Sequence, residues 1–458
     1  MIPTPFLAGK IVAVMGLGKS GTATAAALRA SGATVWAWDD NAAARETAIA
    51  AGVPIVDLHA ADMAALALLV WSPGIAHTHP RPHPIADKAR AAGIPLVCDV
   101  DLLARAKPDA RFLAVTGTNG KSTTTTLLAH VLAGAGRGVA AGGNLGTAAL
   151  AMPDLGAEGR YVLELSSYQL ELVPSLRLAA GVLLNITPDH LGRHGGMDGY
   201  IAAKRILFDR LAKDGTAVIG VDDEPCAAMA DELECRGLRV VRLSAARRLG
   251  SGVSAPDGVL LDNGIPVCNL KSIARLPGRH NWQNACAAYA MARADGASPE
   301  AIAAALSTYP GLAHRQELVA VIDGVAYVND SKATNADAAE KALVCYDRIY
   351  WIIGGQMKEG GIASLAPLFP RIAHAFLIGE AGKPFAAALG RQVPHTTCGT
   401  LDVAVAKAHA MATADRAEGA VVLLSPACAS WDQFKSFEHR GETFRQLVAA
   451  LPGERRAA

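Results

Sequence analysis

A phosphate grip is spelled out by Thr116-Gly117-Thr118-Asn119-Gly120-Lys121-Ser122-Thr123, which follows the short apolar run Phe112 to Val115 and precedes a helix-compatible stretch. A strand that turns directly into a helix through small residues aims several backbone N–H groups, and the positive end of the helix dipole, at one point. A polyphosphate fits there. Lys121 can neutralise its outer phosphates and the Ser122 hydroxyl can ligate the magnesium that accompanies them. The full pattern wants a glycine five positions before the Gly-Lys pair, where this chain has Val115, so the loop is a shortened variant built on Gly117 and Gly120. The string predicts an ATP user.

A second glycine-rich turn, Gly16-Leu17-Gly18-Lys19-Ser20-Gly21, follows the apolar run Ile11 to Met15, and Asp39 lies 18 residues beyond Gly21 at the end of the next run. Taken literally, this spacing is a dinucleotide-binding fingerprint and predicts an NAD oxidoreductase; a Gly-rich turn without a ligand is the plainer alternative. Ser72-Pro73-Gly74 offers another turn after Leu66 to Trp71, so two turns could hold one nucleotide diphosphate.

Further polar groups stand at the C-terminal ends of strand-like runs, where α/β proteins place their ligands. Glu164 is near the end of Tyr161 to Leu165, and Asn185-Ile186-Thr187-Pro188-Asp189-His190 closes Val182 to Ile186. A carboxylate and an imidazole beside a phosphate loop can ligate magnesium. Lys204, in the helical stretch Tyr200 to Leu211, reads on its own as a solvated face. Farther on, Asn329 to Asn335, Gly354 to Lys358 and Ser425 to Phe437 each crowd polar residues after an apolar run, and Ser430 is suited to capping a helix.

The elements needed to position these groups are strands alternating with alanine-rich helices, as at Ile11 to Met15, Thr34 to Trp38 and Arg111 to Val115, which predicts parallel α/β layers. The alternation resumes after the turn-rich Tyr309-Pro310-Gly311 with Val325 to Val328, Ile349 to Ile353, Ala375 to Ile378 and Val421 to Leu424. The expected division is 1–100, 101–311 and 312–458, in line with the size at which single cores stop growing. With 43 basic and 42 acidic residues the net charge is +1, which argues against a nucleic-acid-coating or anionic-membrane surface. No apolar run approaches the ~20 residues of a bilayer span, and Met1 to Lys10 lacks an export signal. Eight cysteines without a CxxC pair predict reduced, buried thiols in a cytoplasmic protein.

Together the residues carry a family resemblance. TGTNGKST, ELSSYQLE (Glu164 to Glu171), NITPDHLGRH (Asn185 to His194) and GRHNWQN (Gly278 to Asn284) resemble the Mur ligases. NDSKATN (Asn329 to Asn335) and SPACASWDQFKSFEHRG (Ser425 to Gly441) resemble the branch that joins D-glutamate to UDP-N-acetylmuramoyl-L-alanine in peptidoglycan synthesis. The resemblance implies an N-terminal Rossmann-like domain, a central ATPase domain, a C-terminal Rossmann-like domain and a cytoplasmic monomer. It reassigns the first glycine turn from NAD to UDP, with Gly18, Lys19, Ser20, Asp39, Asp40, Ser72, Gly74, Asn144 and Ser166 on the UDP-linked substrate. ATP would be held by Gly117, Thr118, Asn119, Gly120, Lys121, Ser122 and Thr123, and by Asn281, Asn284, Arg315 and Asp330. Of two implied magnesium ions, one would be served by Ser122 and Glu164 and the other by His190 and Lys204, the lysine as a carbamate. Lys121, Glu164, His190 and Lys204 would form the catalytic set. D-Glutamate would meet Lys332, Thr334, Lys358, Ser430, Trp431 and Phe437, with Trp431 standing where a smaller apolar residue is expected.

Overall fold

The computed structural model describes residues 1–357 and 360–456. The chain separates into two compact units, Met1–Leu270 with Asn281–Tyr309, and Lys271–His280 with Pro310–Ala458. Two sheets belong to the first unit and one to the second.

In the first sheet, β1 (Ile11–Met15), β2 (Thr34–Trp38), β3 (Leu68–Trp71) and β4 (Leu96–Val97) lie in the order β2-β1-β3-β4, all parallel. Val12 to Met15 and Leu68 to Trp71 are buried throughout, the near-continuous apolar pattern of strands covered on both faces. The turn after β1 has two glycines with distinct steric duties. Gly16 is at φ +93°, and a Cβ on Gly21 would lie 1.8 Å from the Gly16 carbonyl oxygen, so the helix Lys19–Ala30 can start this close to β1 only without a side chain there.

The second sheet has nine strands. They are β5 (Arg111–Thr116), β6 (Val139–Gly143), β7 (Arg160–Glu164), β8 (Leu178–Leu183), β9 (Leu211–Gly220), β10 (Arg239–Ser244), β11 (Val253–Ser254), β12 (Val259–Asp262) and β13 (Ile265–Asn269). Their order is β13-β12-β11-β10-β9-β8-β5-β7-β6, parallel from β11 to β6 and antiparallel at β11-β12-β13. β5 is therefore flanked by β7 and β8, and all three end on the same edge. At their starts the fully buried carboxylate of Asp295 accepts from Arg111 Nε (2.7 Å) and Arg160 Nε (3.1 Å). One apolar cluster runs continuously through both sheets of this unit, from Val14 and Trp71 to Leu163 and Leu207.

The third sheet orders β18 (His395–Gly399), β17 (Ile372–Ile378), β16 (Arg348–Gly354), β19 (Ala420–Leu424), β15 (Val325–Asn329), β14 (Glu317–Ile322) and β20 (Arg455–Arg456). It is parallel from β18 to β15, and β14 and β20 run antiparallel at one edge. Trp351 and Phe385 anchor the core on one face, Tyr327, Phe376 and Phe444 that on the other.

The expected three-part α/β architecture is thus observed. Three local expectations are revised. β8 ends at Leu183 rather than continuing to Ile186, because the Asn185 side chain turns to the phosphate loop. Ser430 does not cap a helix; the helix Phe437–Ala449 starts later, with Ser436 accepting from the His439 N–H. The antiparallel strands β11–β13 were not anticipated. All eight cysteines are free thiols, as expected, but only Cys98, Cys226, Cys286 and Cys428 are buried, and Cys235, at the end of an amphipathic helix, is exposed; no helix among the described residues is long and apolar enough to cross a membrane.

Overpacking a close contact costs about 1–3 kcal/mol. Gly21→Ala should therefore lower the melting temperature by several degrees. Gly18→Ala, whose Cβ would meet nothing within 4 Å, should cost under ~1 kcal/mol. Equal losses in calorimetry would contradict this account of the turn.

Candidate active site

The phosphate loop runs from Thr116, the last residue of β5, to the helix Lys121–Gly134. Gly120 precedes the helix at φ +85°, and a Cβ there would come 2.4 Å from Asn284 Oδ1. The loop is held from outside. Asn185 Oδ1 accepts from the Asn119 N–H (2.8 Å) while its Nδ2 donates to the Asn119 carbonyl (3.2 Å). Thr118 N–H donates to the Asn185 carbonyl (2.9 Å), and the Thr118 hydroxyl lies 3.1 Å from Tyr200 OH. Asn284 accepts from Thr124 Oγ1 (3.1 Å) and donates to Asn281 Oδ1 (3.1 Å), so both expected ATP-binding asparagines are packed against the start of this helix. No acidic residue occupies its first turn, which leaves the positive end of the dipole for an anion.

Two ammonium groups converge on one carbonyl of this loop. Lys121 Nζ donates to the oxygens of Gly117 (2.9 Å) and Thr118 (2.8 Å), and Lys204 Nζ donates to that of Gly117 (2.9 Å). Lys204 is not a solvated face residue: its helix, Met197–Asp209, turns it inward, where it is 1% exposed and lies 4.6 Å from the Tyr200 ring centre. Burial, and then the charge of Lys121, bring its pKa down to about 7.

Glu164 ends β7 and is buried. Its Oε1 accepts from Asn144 Nδ2 (2.8 Å), whereas Oε2 is buried without a hydrogen-bond partner among the described residues. An orphaned buried carboxylate oxygen beside a phosphate loop fits a hard divalent cation. His190, at φ +54°, is 55% exposed and pairs at 3.5 Å with Asp189; it makes no hydrogen bond to Lys204 or Glu164.

At the C-terminal ends of β1, β2 and β3, Asp39 ties the glycine turn to the next strand by accepting from Leu17 N–H (2.7 Å) and Asn41 N–H (2.8 Å). Asp40 accepts from His83 Nε2 (2.7 Å) and Trp38 Nε1 (3.1 Å); burial pushes its carboxyl up, but these bonds and His59 outweigh it and hold it low. Ser20 hydrogen-bonds Asp99, and Lys19 Nζ donates to the Gly146 carbonyl. Arg193 donates to the carbonyls of Gly74 (2.9 Å) and Pro73 (3.3 Å), beside Ser72. Ser166 forms a capping box with Gln169.

The second unit gathers its polar residues at the ends of β15, β19 and β16, which are neighbours in the sheet. Asp330 accepts from Ser425 Oγ (2.8 Å) and from Gln316 N–H (3.2 Å). Burial raises its pKa to about 7, against those bonds and the charge of Arg315. Lys332 Nζ lies 3.8 Å from the Phe437 ring centre, Ser430 is buried, Thr334 is half-buried and Trp431 is 72% exposed. Lys358 lies outside the described residues.

Sequence reasoning missed several supporting groups. Asn185 stands in the sequence only as part of a strand end, and Tyr200 only as the start of a helical stretch. Glu171 lies 2.9 Å from His77 Nε2 and 3.4 Å from His194 Nδ1, and the Arg193 guanidinium lies 4.4 Å from the Tyr168 ring centre. Arg440 is fully buried. Their signal is visible only once distant segments are brought together.

The profile described as "Mur ligase middle domain" matches residues 115–292, and that described as "Mur ligase, glutamate ligase domain" matches residues 314–428. The chain is 68% identical to the UDP-N-acetylmuramoylalanine–D-glutamate ligase of Paramagnetospirillum magneticum, over 98% of this chain and 99% of that one. It is 56% identical to the protein of the same name from Rhodospirillum rubrum, over 100% and 98%. Among solved structures, the UDP-N-acetylmuramate–alanine ligase MurC of Thermotoga maritima shares the fold with a TM-score of 0.59 at 17% identity, covering 96% of this chain and 99% of that one. MurF of Acinetobacter baumannii does so with 0.56 at 19%, covering 76% and 79%.

Asp330 gives this site a pH signature. Its folded-state pKa of about 7 lies above the 3.8 of a free side chain, so within that window the folded chain keeps a proton that the unfolded chain has released. This group's contribution therefore erodes stability as pH rises through the window. Relative to the parent protein, Asp330→Asn should gain stability between about pH 4 and 7, measured by denaturant unfolding; parallel curves would overturn the assignment.

Proposed function

This chain belongs to the Mur ligase family, and on that premise we propose that it joins D-glutamate to UDP-N-acetylmuramoyl-L-alanine, with ATP converted to ADP and phosphate. The observation that carries the reading is the near-full-length identity to two D-glutamate ligases, combined with a phosphate loop in the first unit and the Asn329 to Asn335 string in the second. In this reading residues 1–100 take the UDP moiety, 101–311 take ATP and 312–458 take the amino acid. The enzyme works as a monomer in the cytoplasm.

The chemistry begins when the alanyl carboxylate attacks the γ-phosphorus of ATP, giving an acyl phosphate as ADP departs. The neutral D-glutamate amine then attacks the acyl carbon, its nitrogen gives up a proton to solvent, and phosphate leaves the tetrahedral intermediate to give the amide. The loop N–H groups at the start of the helix Lys121–Gly134 hold the phosphates, and Lys121 follows the charge that builds on the transferred group. Fixing nucleotide and acceptor in one geometry removes most of the entropic part of the barrier. Ser122 and Glu164 would hold one magnesium ion, and His190 with carbamylated Lys204 a second. Bound there, magnesium offsets negative charge on the phosphate oxygens.

The environment of Lys204 supports its modification. An amine with a pKa of about 7 is largely neutral at physiological pH, and only the neutral amine attacks CO2, losing a proton to become a carbamate. The product replaces an amine whose protonated form is repelled by Lys121 with an anion that attracts it. Lys332, Thr334, Lys358, Ser430, Trp431 and Phe437 would receive D-glutamate, the lysines and hydroxyls gripping its carboxylates.

Mass spectrometry of reactions containing the UDP-linked substrate, ATP and magnesium should detect product with D-glutamate and none with L-glutamate, meso-diaminopimelate or D-alanyl-D-alanine. Lys121→Ala should lower the rate at least ~100-fold with the fold retained. Product without a nucleoside triphosphate, or none with D-glutamate, refutes the proposal. Separately, protein equilibrated with 13C-bicarbonate should show a carbamate carbon by NMR that is missing from Lys204→Arg; its absence from the parent protein would remove the carbamate from the account.

A further inference from the structure

Arg440 is 0% exposed, four residues into the helix Phe437–Ala449, and no ion pair within 4.0 Å is formed by it among the described residues. Its guanidinium is instead spread over main-chain and hydroxyl oxygens. Nε donates to Ser331 Oγ (2.9 Å), one terminal nitrogen donates to the carbonyls of Ser331 (2.8 Å) and Cys428 (3.1 Å), and the other to that of Ala429 (3.4 Å). The second terminal nitrogen also packs against Gly355, where an added Cβ would lie 3.2 Å from it. One side chain therefore touches the ends of β15, β19 and β16.

Those contacts fall directly beside residues assigned to the amino acid. Ser331 precedes Lys332, and Ala429 precedes Ser430. The Ser331 hydroxyl that accepts from Arg440 donates in turn to the Phe437 carbonyl (2.9 Å), which ties the same helix to the same loop. Ala429 also exchanges two backbone hydrogen bonds with Gln356, at 2.9 and 3.0 Å.

We propose that Arg440 is the positioning residue of the D-glutamate pocket, a planar strut that fixes Lys332, Ser430 and Phe437 relative to one another without touching the substrate. The inference rests on the proposed function. The chemistry of arginine suits it: five donors in a rigid fork can satisfy acceptors on several segments at once, whereas a lysine ammonium offers three donors from one point. The cost of the arrangement is visible in the side chain itself, since burial pushes Arg440 down to about 10, with Asp432 and Asp330 opposing. A buried cation without a carboxylate is retained here for the geometry it imposes on carbonyls.

The test is a split in Michaelis constants. Arg440→Lys should raise the KM for D-glutamate at least tenfold while leaving those for ATP and the UDP-linked substrate within twofold. Ser331→Ala, which removes the Nε acceptor and the link to Phe437 without altering charge, should move the same constant in the same direction and serves if the lysine variant does not fold. Circular dichroism and melting curves confirm the folded fraction. If the D-glutamate constant stays within twofold of the parent in the folded variants, or all three constants rise together, the positioning role is wrong. A parent protein that makes no product with D-glutamate would instead refute the functional reading beneath it.

Discussion

Where parallel strands stop, their last carbonyls and the N–H groups that follow run out of neighbouring strand to pair with, and each parallel sheet presents these ends along one edge. Everything chemical in this chain is built on that constraint. In each sheet three neighbouring strands stop together: β1, β2 and β3 around the Gly16 turn, β5, β7 and β8 around the phosphate loop, and β15, β16 and β19 around Ser331. The exposed backbone groups are then satisfied by side chains from adjacent strand ends or, in the third sheet, from the helix Phe437–Ala449. Asp39 does this for Leu17, Asn185 for Asn119, and Arg440 for Cys428 and Ala429. The sites are rigid because the groups that would otherwise be unsatisfied supply their scaffolding.

Burial of ionisable groups near these edges moves acids up and bases down. Lys204 moves down toward neutrality, Asp330 moves up, and Arg440 moves down yet stays charged. In each case desolvation is the largest cause, and local hydrogen bonds or charges decide how far it goes. The same low-dielectric setting holds Glu164 Oε2 without a hydrogen-bond partner among the described residues, a cost that a bound cation would offset.

How much of this was legible in the chain depended on sequence distance. The phosphate loop could be read directly because its strand, glycines, lysine and helix are contiguous, and so could the strand ends bearing Glu164 and Asp330. Lys204 could not, since the Gly117 carbonyl that its ammonium meets lies 87 residues away in sequence. Arg440 meets Ser331 across 109 residues, and its place in the string SFEHRG gives no local sign of that partner. The strand β14, between β15 and β20, and the hairpin β12–β13 escaped notice because short antiparallel strands carry little periodic signal of their own.

The resting place of Lys121 has a consequence for what the loop admits. Its ammonium is coiled back onto two carbonyl oxygens of its own turn. An anion seated at the start of the helix shares that cation with both backbone dipoles, so the turn itself tempers how much positive charge a guest receives.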